Sequence, residues 1–311
     1  MKKIAFIFPG QGSQTVGMGK DFFENSDIAK EMISKASERL GFNFEELLFS
    51  ENDNLGKTEF TQPAILLVSC IAIEVFKTKC DIAPQFVLGH SLGEFSALVA
   101  SGAINYLDAV ELVHKRGLFM NEACAGAGAG MMALVGLDDE KVESMTASQR
   151  EDGKKIWAAN YNMDGQIVVA GIKADLESLV DTYKEAGAKR AIVLDMSVAS
   201  HCELLNSAVE KLNPFLNEYI TDNFNTSVIS NVTANSYNTK EEAVKLLGEQ
   251  LISPVKYKHS ILATANGLDM LIEFGNGAVL KGLNRKIIKS LPTLNVSDMK
   301  TLEATMEKLN D

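Results

Sequence analysis

Phe86-Val87-Leu88-Gly89-His90-Ser91-Leu92-Gly93-Glu94 is the stretch from which the fold is read. Residues 86–88 suit a buried strand, residues 94–100 suit a helix, and the turn between them carries the pattern Gly-x-Ser-x-Gly. So tight a strand-to-helix turn admits only small residues beside the serine. It sets the hydroxyl at the helix N-terminus, with the backbone N–H of Leu92 aimed at any oxyanion that forms. Given 23 glycines in 311 residues, a serine flanked in this way arises by chance on the order of 0.1 times per chain. The position between strand and helix lowers that further, so Ser91 reads as a nucleophile.

Outward from this turn the alternation of strand and helix continues. Residues 4–8, Ile-Ala-Phe-Ile-Phe, end at Pro9-Gly10. This run is too short for a membrane span or a signal-peptide core and suits a first buried strand. Helical spacing covers 64–77, and a second helix is expected after an N-cap at Asn105, running to about Glu122. Buried, largely parallel strands separated by helices define an α/β fold.

The rhythm changes after a Gly/Ala hinge at 125–130. The sequence then predicts strand 131–135, helix 138–148, strands 155–160 and 166–170, helix 173–186 and strand 190–194. That β-α-β-β-α-β order is ferredoxin-like. It predicts an inserted small subdomain at 124–196, with 1–123 and 197–311 forming one large subdomain and a cleft between the two.

The chain is 46% hydrophobic and 23% charged, as for an ordinary globular protein. Its net charge of −11 argues against binding nucleic acid or an anionic membrane, because such polyanions recruit Lys and Arg. An anionic partner therefore needs a local basic patch. Lys281, Arg285, Lys286 and Lys289, near helical i, i+4 spacing, are the candidate, and a solvated helix face is an equal reading. Cys70, Cys80, Cys124 and Cys202 form no C-x-x-C pair and have no histidine at zinc-site spacing. Neither a disulfide framework nor a metal site is expected, and a reducing cytoplasm fits best.

A serine hydroxyl needs a base within hydrogen-bond reach. Of four histidines, His90 should point away along the strand, His114 sits in a helix, and His259 lies in a polar run with Lys256 and Lys258. His201, in the segment 197–202, remains as candidate. From the residues alone, a histidine with only a structural role is an equally good reading. The turn Pro9-Gly10-Gln11-Gly12-Ser13-Gln14 could supply a second oxyanion donor through Gln11. It lacks the Gly-Lys-Ser/Thr ending of a phosphate loop, and the glycines at 126–130 follow a helix rather than a strand, against a dinucleotide fingerprint.

Six ordered motifs carry a family resemblance. They are 8–14 (Phe-Pro-Gly-Gln-Gly-Ser-Gln), 89–94 (Gly-His-Ser-Leu-Gly-Glu), 116–120 (Arg-Gly-Leu-Phe-Met), 197–202, 250–255 (Gln-Leu-Ile-Ser-Pro-Val) and 273–277 (Glu-Phe-Gly-Asn-Gly). Together they resemble the malonyl-CoA:acyl carrier protein transacylase family along nearly the whole chain. The resemblance implies a hydrolase-like large subdomain with a mostly parallel sheet, plus the ferredoxin-like insertion. It implies Ser91 as nucleophile, His201 as base, oxyanion donors at the backbone of Gln11 and Leu92, and Arg116 as partner of the malonyl carboxylate. A backbone carbonyl at Gln250 would orient the imidazole in place of a triad aspartate, and Asn160, Asn162 and Asn231 would line the polar cleft. Coenzyme A thioester and acyl carrier protein would be the substrates, transfer would serve fatty acid synthesis with no cofactor, and a monomer is expected. Two departures stand out: Asn276 replaces a frequent proline, and Ala199-Ser200 precedes His201 where many malonyl-selective synthase domains carry a bulky aromatic.

Two other classes share some of these features. A serine esterase or thioesterase has the same turn and a histidine, but it usually has an acidic triad member, for which Asp195 is the nearest candidate, and it has no use for Arg116. A carrier-protein-binding module without activity would be marked by loss of the serine or the histidine, and both are present.

Overall fold

Residues 4–8 alternate between two cores. Ile4, Phe6 and Phe8 join one apolar cluster and Ala5 and Ile7 another, as period-2 side chains must in a strand covered on both faces. The structure, a computed structural model, describes residues 2–196 and 198–310. Among the described residues ten strands form two sheets: β1 Ile4–Phe8, β2 Val87–Gly89, β3 Ala129–Val135, β4 Ile156–Met163, β5 Gln166–Ile172, β6 Arg190–Val193, β7 Val228–Ile229, β8 Ser236–Tyr237, β9 Met270–Phe274 and β10 Thr293–Val296. The larger sheet has the order β10-β9-β1-β2-β7-β8 and is parallel except for β7 with β8. The smaller has the order β4-β5-β3-β6, is antiparallel throughout, and closes over its own core of Met132, Leu134, Ile167, Leu176 and Tyr183. The expected α/β fold with a ferredoxin-like insertion is what the chain forms.

The insertion is stitched to the rest. Asn160 bridges Val255 in parallel, with Tyr161 N–H donating to the Val255 carbonyl at 2.9 Å and Val255 N–H to that of Ala159 at 2.8 Å. Lys258 in the Tyr257–Thr264 helix adds ion pairs to Asp139 at 2.5 Å and Asp164 at 3.0 Å in the insertion.

Two helices differ from expectation. The one read at 64–77 is Thr58–Lys77, starting six residues earlier with Pro63 inside it. Proline lacks the N–H that would bond the Glu59 carbonyl, and the His114 Nδ1–H takes that carbonyl instead at 2.7 Å. This helix is long and apolar enough to cross a membrane, yet most of it lies inside the fold. The helix read at 173–186 is two, Lys173–Ser178 and Val180–Glu185. Leu179 N–H bonds back to the Leu176 carbonyl, a tighter i to i+3 closure, which turns Leu176, Leu179 and Tyr183 together into the small core.

Candidate active site

Close backbone contact dictates the glycines of the turn. A Cβ on Gly89 would sit 1.9 Å from the Gly93 carbonyl carbon, and one on Gly93 would sit 2.1 Å from the Phe8 carbonyl oxygen. Gly10 likewise faces the His90 carbonyl oxygen, at 2.2 Å. The loop after β1 and the turn after β2 are thus pressed together, Gly10 against His90 and Gly93 against Phe8. Ser91 itself has φ 52°, in the left-handed region, strained for a residue with a side chain. Asn231 holds that conformation: its Oδ1 accepts the Ser91 N–H at 2.6 Å and its Nδ2 donates to the Gly89 carbonyl at 2.7 Å.

Ser91 Oγ lies 2.8 Å from His201 Nε2, across 110 residues of sequence. His201 Nδ1 is 2.7 Å from the Gln250 carbonyl oxygen, which can only accept. Nδ1 therefore carries the proton, and Nε2 presents a lone pair to the serine hydroxyl, the tautomer a base requires. His201 is almost fully buried and also has positive φ, 60°. Burial, and secondarily the charge of Arg116, push its pKa down to about 3 against the raising effect of the Gln250 carbonyl. Asp195, the acid a hydrolase would use, is exposed and takes no part in this contact.

Arg116 comes from the Tyr106–Cys124 helix, capped by the Asn105 side chain as expected. That helix crosses the start of Thr58–Lys77 at Gly117, where a Cβ would meet the Glu59 Cα at 2.5 Å, and so the crossing needs glycine. Arg116 is 2% exposed. One terminal nitrogen donates to Gln62 Oε1 at 2.6 Å; the other donates to Gln250 Oε1 at 3.1 Å and reaches Ser91 Oγ at 3.3 Å. These partners are all neutral, and Nε has none among the described residues. Burial lowers the pKa to about 10, so the group remains a cation near neutrality. A buried cation with a free donor beside a serine can seat an anion carried by an acyl group.

The remaining expectations divide. Among the described residues no acceptor bonds the backbone N–H of Gln11 or of Leu92, which leaves both for a ligand, while Gln11 Oε1 accepts from Thr58 Oγ1 at 3.0 Å. His90 bonds Asn162 Oδ1 through Nε2 at 2.8 Å, and its ring is near enough to His201 to count among the influences on that imidazole. Asn160 is nearly buried in β4. Asn231, read as cleft lining, is fully buried, and its polar groups are spent on the turn; it is a clamp behind the serine. Ser197 lies outside the described residues. Sequence reasoning missed Gln62, the side chain of Gln250 and Glu94; a charged residue in the apolar run 93–100 was the available signal. A cavity of about 790 Å³ is lined by Gln11, Thr58, Asn121, Cys124, Met196 and Val198 among others. Among the described residues no group of three or more His, Cys, Asp or Glu is placed to hold a metal.

Comparison with known proteins gives the family. Residues 5–306 match the family described as acyl transferase domain. The chain is 42% identical to the malonyl CoA-acyl carrier protein transacylase of Bacillus subtilis (strain 168), covering 100% of this chain and 98% of the relative, and 39% identical to that of Haemophilus influenzae, covering 99% and 100%. The crystal structure of malonyl-CoA:acyl carrier protein transacylase from Helicobacter pylori superposes with a TM-score of 0.96 at 42% identity, covering 100% of this chain and 99% of that one. A malonyl-transacylase in complex with its type II PKS acyl-carrier protein superposes at 0.93 with 35% identity, covering 98% and 99%. Over its whole length, with the serine, histidine and buried arginine in one place, the chain belongs to the acyl transferase family.

Proposed function

We propose that the chain transfers malonyl from coenzyme A to the thiol of an acyl carrier protein, for fatty acid synthesis, through an acyl-enzyme on Ser91. The observation that carries the substrate is Arg116, a buried guanidinium whose hydrogen-bond partners are all neutral, whose Nε has none among the described residues, and one of whose terminal nitrogens reaches Ser91 Oγ at 3.3 Å. Malonyl differs from acetyl by one carboxylate, the group this cation lacks. Ser91 Oγ attacks the thioester carbon as His201 Nε2 takes its proton. The oxyanion rests on the N–H groups of Gln11 and Leu92, and coenzyme A leaves as a thiol with the proton returned by His201. The carrier protein's thiol then gives its proton to His201, attacks the acyl-serine, and regenerates the serine hydroxyl. This chemistry needs no redox cofactor, and the cytoplasm is the compartment that supplies both thiols. The division into 1–123 with 197–311 and 124–196 belongs to the same proposal, with the cleft between them as the thioester's entry. Mixing the protein with malonyl-CoA and a phosphopantetheinylated carrier protein tests the reading: malonyl carrier protein should form, and hydrolysis to free malonate alone would favour a thioesterase.

The buried imidazole gives a pH prediction. Because the pKa of His201 is lowered, the neutral, base-competent form should persist as pH falls through the usual 6.5. Its imidazole NMR signals should not titrate there, and a midpoint near 6.5 would contradict the assignment. The linkage has a definite sign: the unfolded chain binds this proton below 6.5 and the folded one does not, so His201 costs stability progressively as pH drops from 6.5 toward about 3.

For the carrier protein, Lys281, Arg285 and Lys286 on the Val279–Ile287 helix, with Lys289 just beyond it, form an exposed basic face. Lys281, Arg285 and Lys289 also line a hollow of about 220 Å³. Reversing charge at Lys286 and Lys289 should raise KM for an acidic carrier protein and flatten its salt dependence, with KM for malonyl-CoA unchanged. An unaltered KM and salt response for carrier protein would exclude this face.

A further inference from the structure

Glu94 is fully buried, three residues after Ser91 in the first turn of the Gly93–Ser101 helix. Its position near a helix N-terminus suits an anion, but burial raises its pKa to about 7, and the hydrogen bonds it accepts act to lower it. Its Oε2 accepts from Asn231 N–H at 3.0 Å and from Gln250 Nε2 at 2.7 Å, and its Oε1 accepts from the Tyr237 hydroxyl at 3.0 Å. The Glu94 carboxylate hydrogen-bonds none of the groups assigned to the reaction, though its charge reaches Arg116. Each of its first two partners does bond them. Asn231 clamps the Ser91 turn, and Gln250 holds His201 through its backbone carbonyl and Arg116 through its side-chain carbonyl.

The two ends of the Gln250 amide are not equivalent. As placed, Nε2 faces two acceptors, Glu94 Oε2 and the Ser91 carbonyl at 3.1 Å, while Oε1 faces the Arg116 donor. Rotated by half a turn, the amide would set oxygen against both acceptors and N–H against N–H of the guanidinium. The Glu94 oxygen, the shorter of the two contacts to Nε2, therefore acts with the Ser91 carbonyl to fix the amide, and with it the carbonyl that steadies Arg116 without neutralising it. A carboxylate in direct contact with Arg116 would occupy the seat; one amide away it leaves the seat open.

We propose that Glu94 is a positioning residue for malonyl selectivity, acting as the hydrogen-bond acceptor that orients Gln250 and Asn231 behind Arg116 and Ser91. The proposal rests on the transacylase reading above and deepens it. Three variants test it by the rate of acyl-enzyme formation from malonyl-CoA and from acetyl-CoA. Glu94→Ala removes the acceptor, and malonyl kcat/KM should fall roughly 10- to 100-fold, the worth of a buried charged hydrogen bond, with acetyl falling less, so that the malonyl-to-acetyl ratio drops. Glu94→Gln keeps an oxygen facing Asn231 N–H and Gln250 Nε2 while removing the charge, and should restore the ratio to within about threefold of wild type. Tyr237→Phe removes a contact to Glu94 that reaches no reacting group; it should lower the melting temperature and leave the ratio unchanged. A wild-type ratio in Glu94→Ala, or in its place a failure of Glu94→Gln to restore selectivity while folded, would overturn the proposal. If Glu94→Ala does not fold, Glu94→Gln against Tyr237→Phe still decides it. Failure here leaves wild-type malonyl transfer intact, whereas failure of the transacylase reading would abolish any malonyl-enzyme in the wild type.

Discussion

Ser91→Ala is expected to lower malonyl transfer on the order of a million-fold, to the level that binding and the oxyanion donors alone sustain, and to leave no acyl-enzyme. The size follows from the site's construction. Ser91 Oγ is the hydroxyl that His201 Nε2 reaches, at 2.8 Å, and alanine gives the imidazole nothing to activate. The turn should survive, because Asn231 grips backbone atoms, the Ser91 N–H and the Gly89 carbonyl, and not the hydroxyl. Alanine also tolerates the φ of 52° about as poorly as serine does, so the melting temperature should change little. His201→Ala keeps the hydroxyl and loses only its base, which should cost ~10²–10⁴ in rate. Steady-state transfer to carrier protein measures both, and wild-type rates in Ser91→Ala would refute the nucleophile.

Arg116→Ala is the second large effect, and its signature is selectivity. Two charged hydrogen bonds from a guanidinium to a carboxylate contribute ~1.5–3 kcal/mol each, so malonyl kcat/KM should fall roughly 10²–10⁴. Acetyl transfer should persist or rise, because a desolvated cation has been removed. The loss of Arg116 also removes the second-largest influence holding the His201 pKa down, which makes the base stronger for uncharged acyl groups. Arg116→Lys should recover only part of the malonyl rate, since an ammonium cannot donate in parallel to Gln62, Gln250 and substrate. An equal fall for malonyl and acetyl would make Arg116 a structural residue.

What the sequence made legible was local, and what it hid was distant. The Ser91 turn could be read because its requirement, small residues at 89 and 93, is met within five positions. The small sheet could be read because β3 to β6 carry their own periodicity and turns, whereas of the large sheet only β1 and β2 could, and β7 to β10 went unread. The Thr58–Lys77 helix was misjudged at its start because Pro63 is a helix breaker unless something else takes the Glu59 carbonyl, and His114, 55 residues away, does so. The break at Leu179 has no proline or glycine to announce it. Site residues follow the same rule. Gln62 meets Arg116 across 54 residues, Gln250 meets Glu94 across 156, and Asn231 meets Ser91 across 140. Asn231 was singled out for the cleft and proves to be a clamp, a difference in burial that a linear motif does not carry.

The account stands most directly on whether malonyl becomes bonded to Ser91. Intact-protein mass spectrometry after brief mixing with malonyl-CoA, without carrier protein, followed by peptide mapping, should show one malonyl adduct on the peptide bearing Ser91. The adduct should be absent in Ser91→Ala and discharged when carrier protein is added. An unmodified wild-type protein that nonetheless transfers malonyl, or an adduct mapped to another residue, would contradict it.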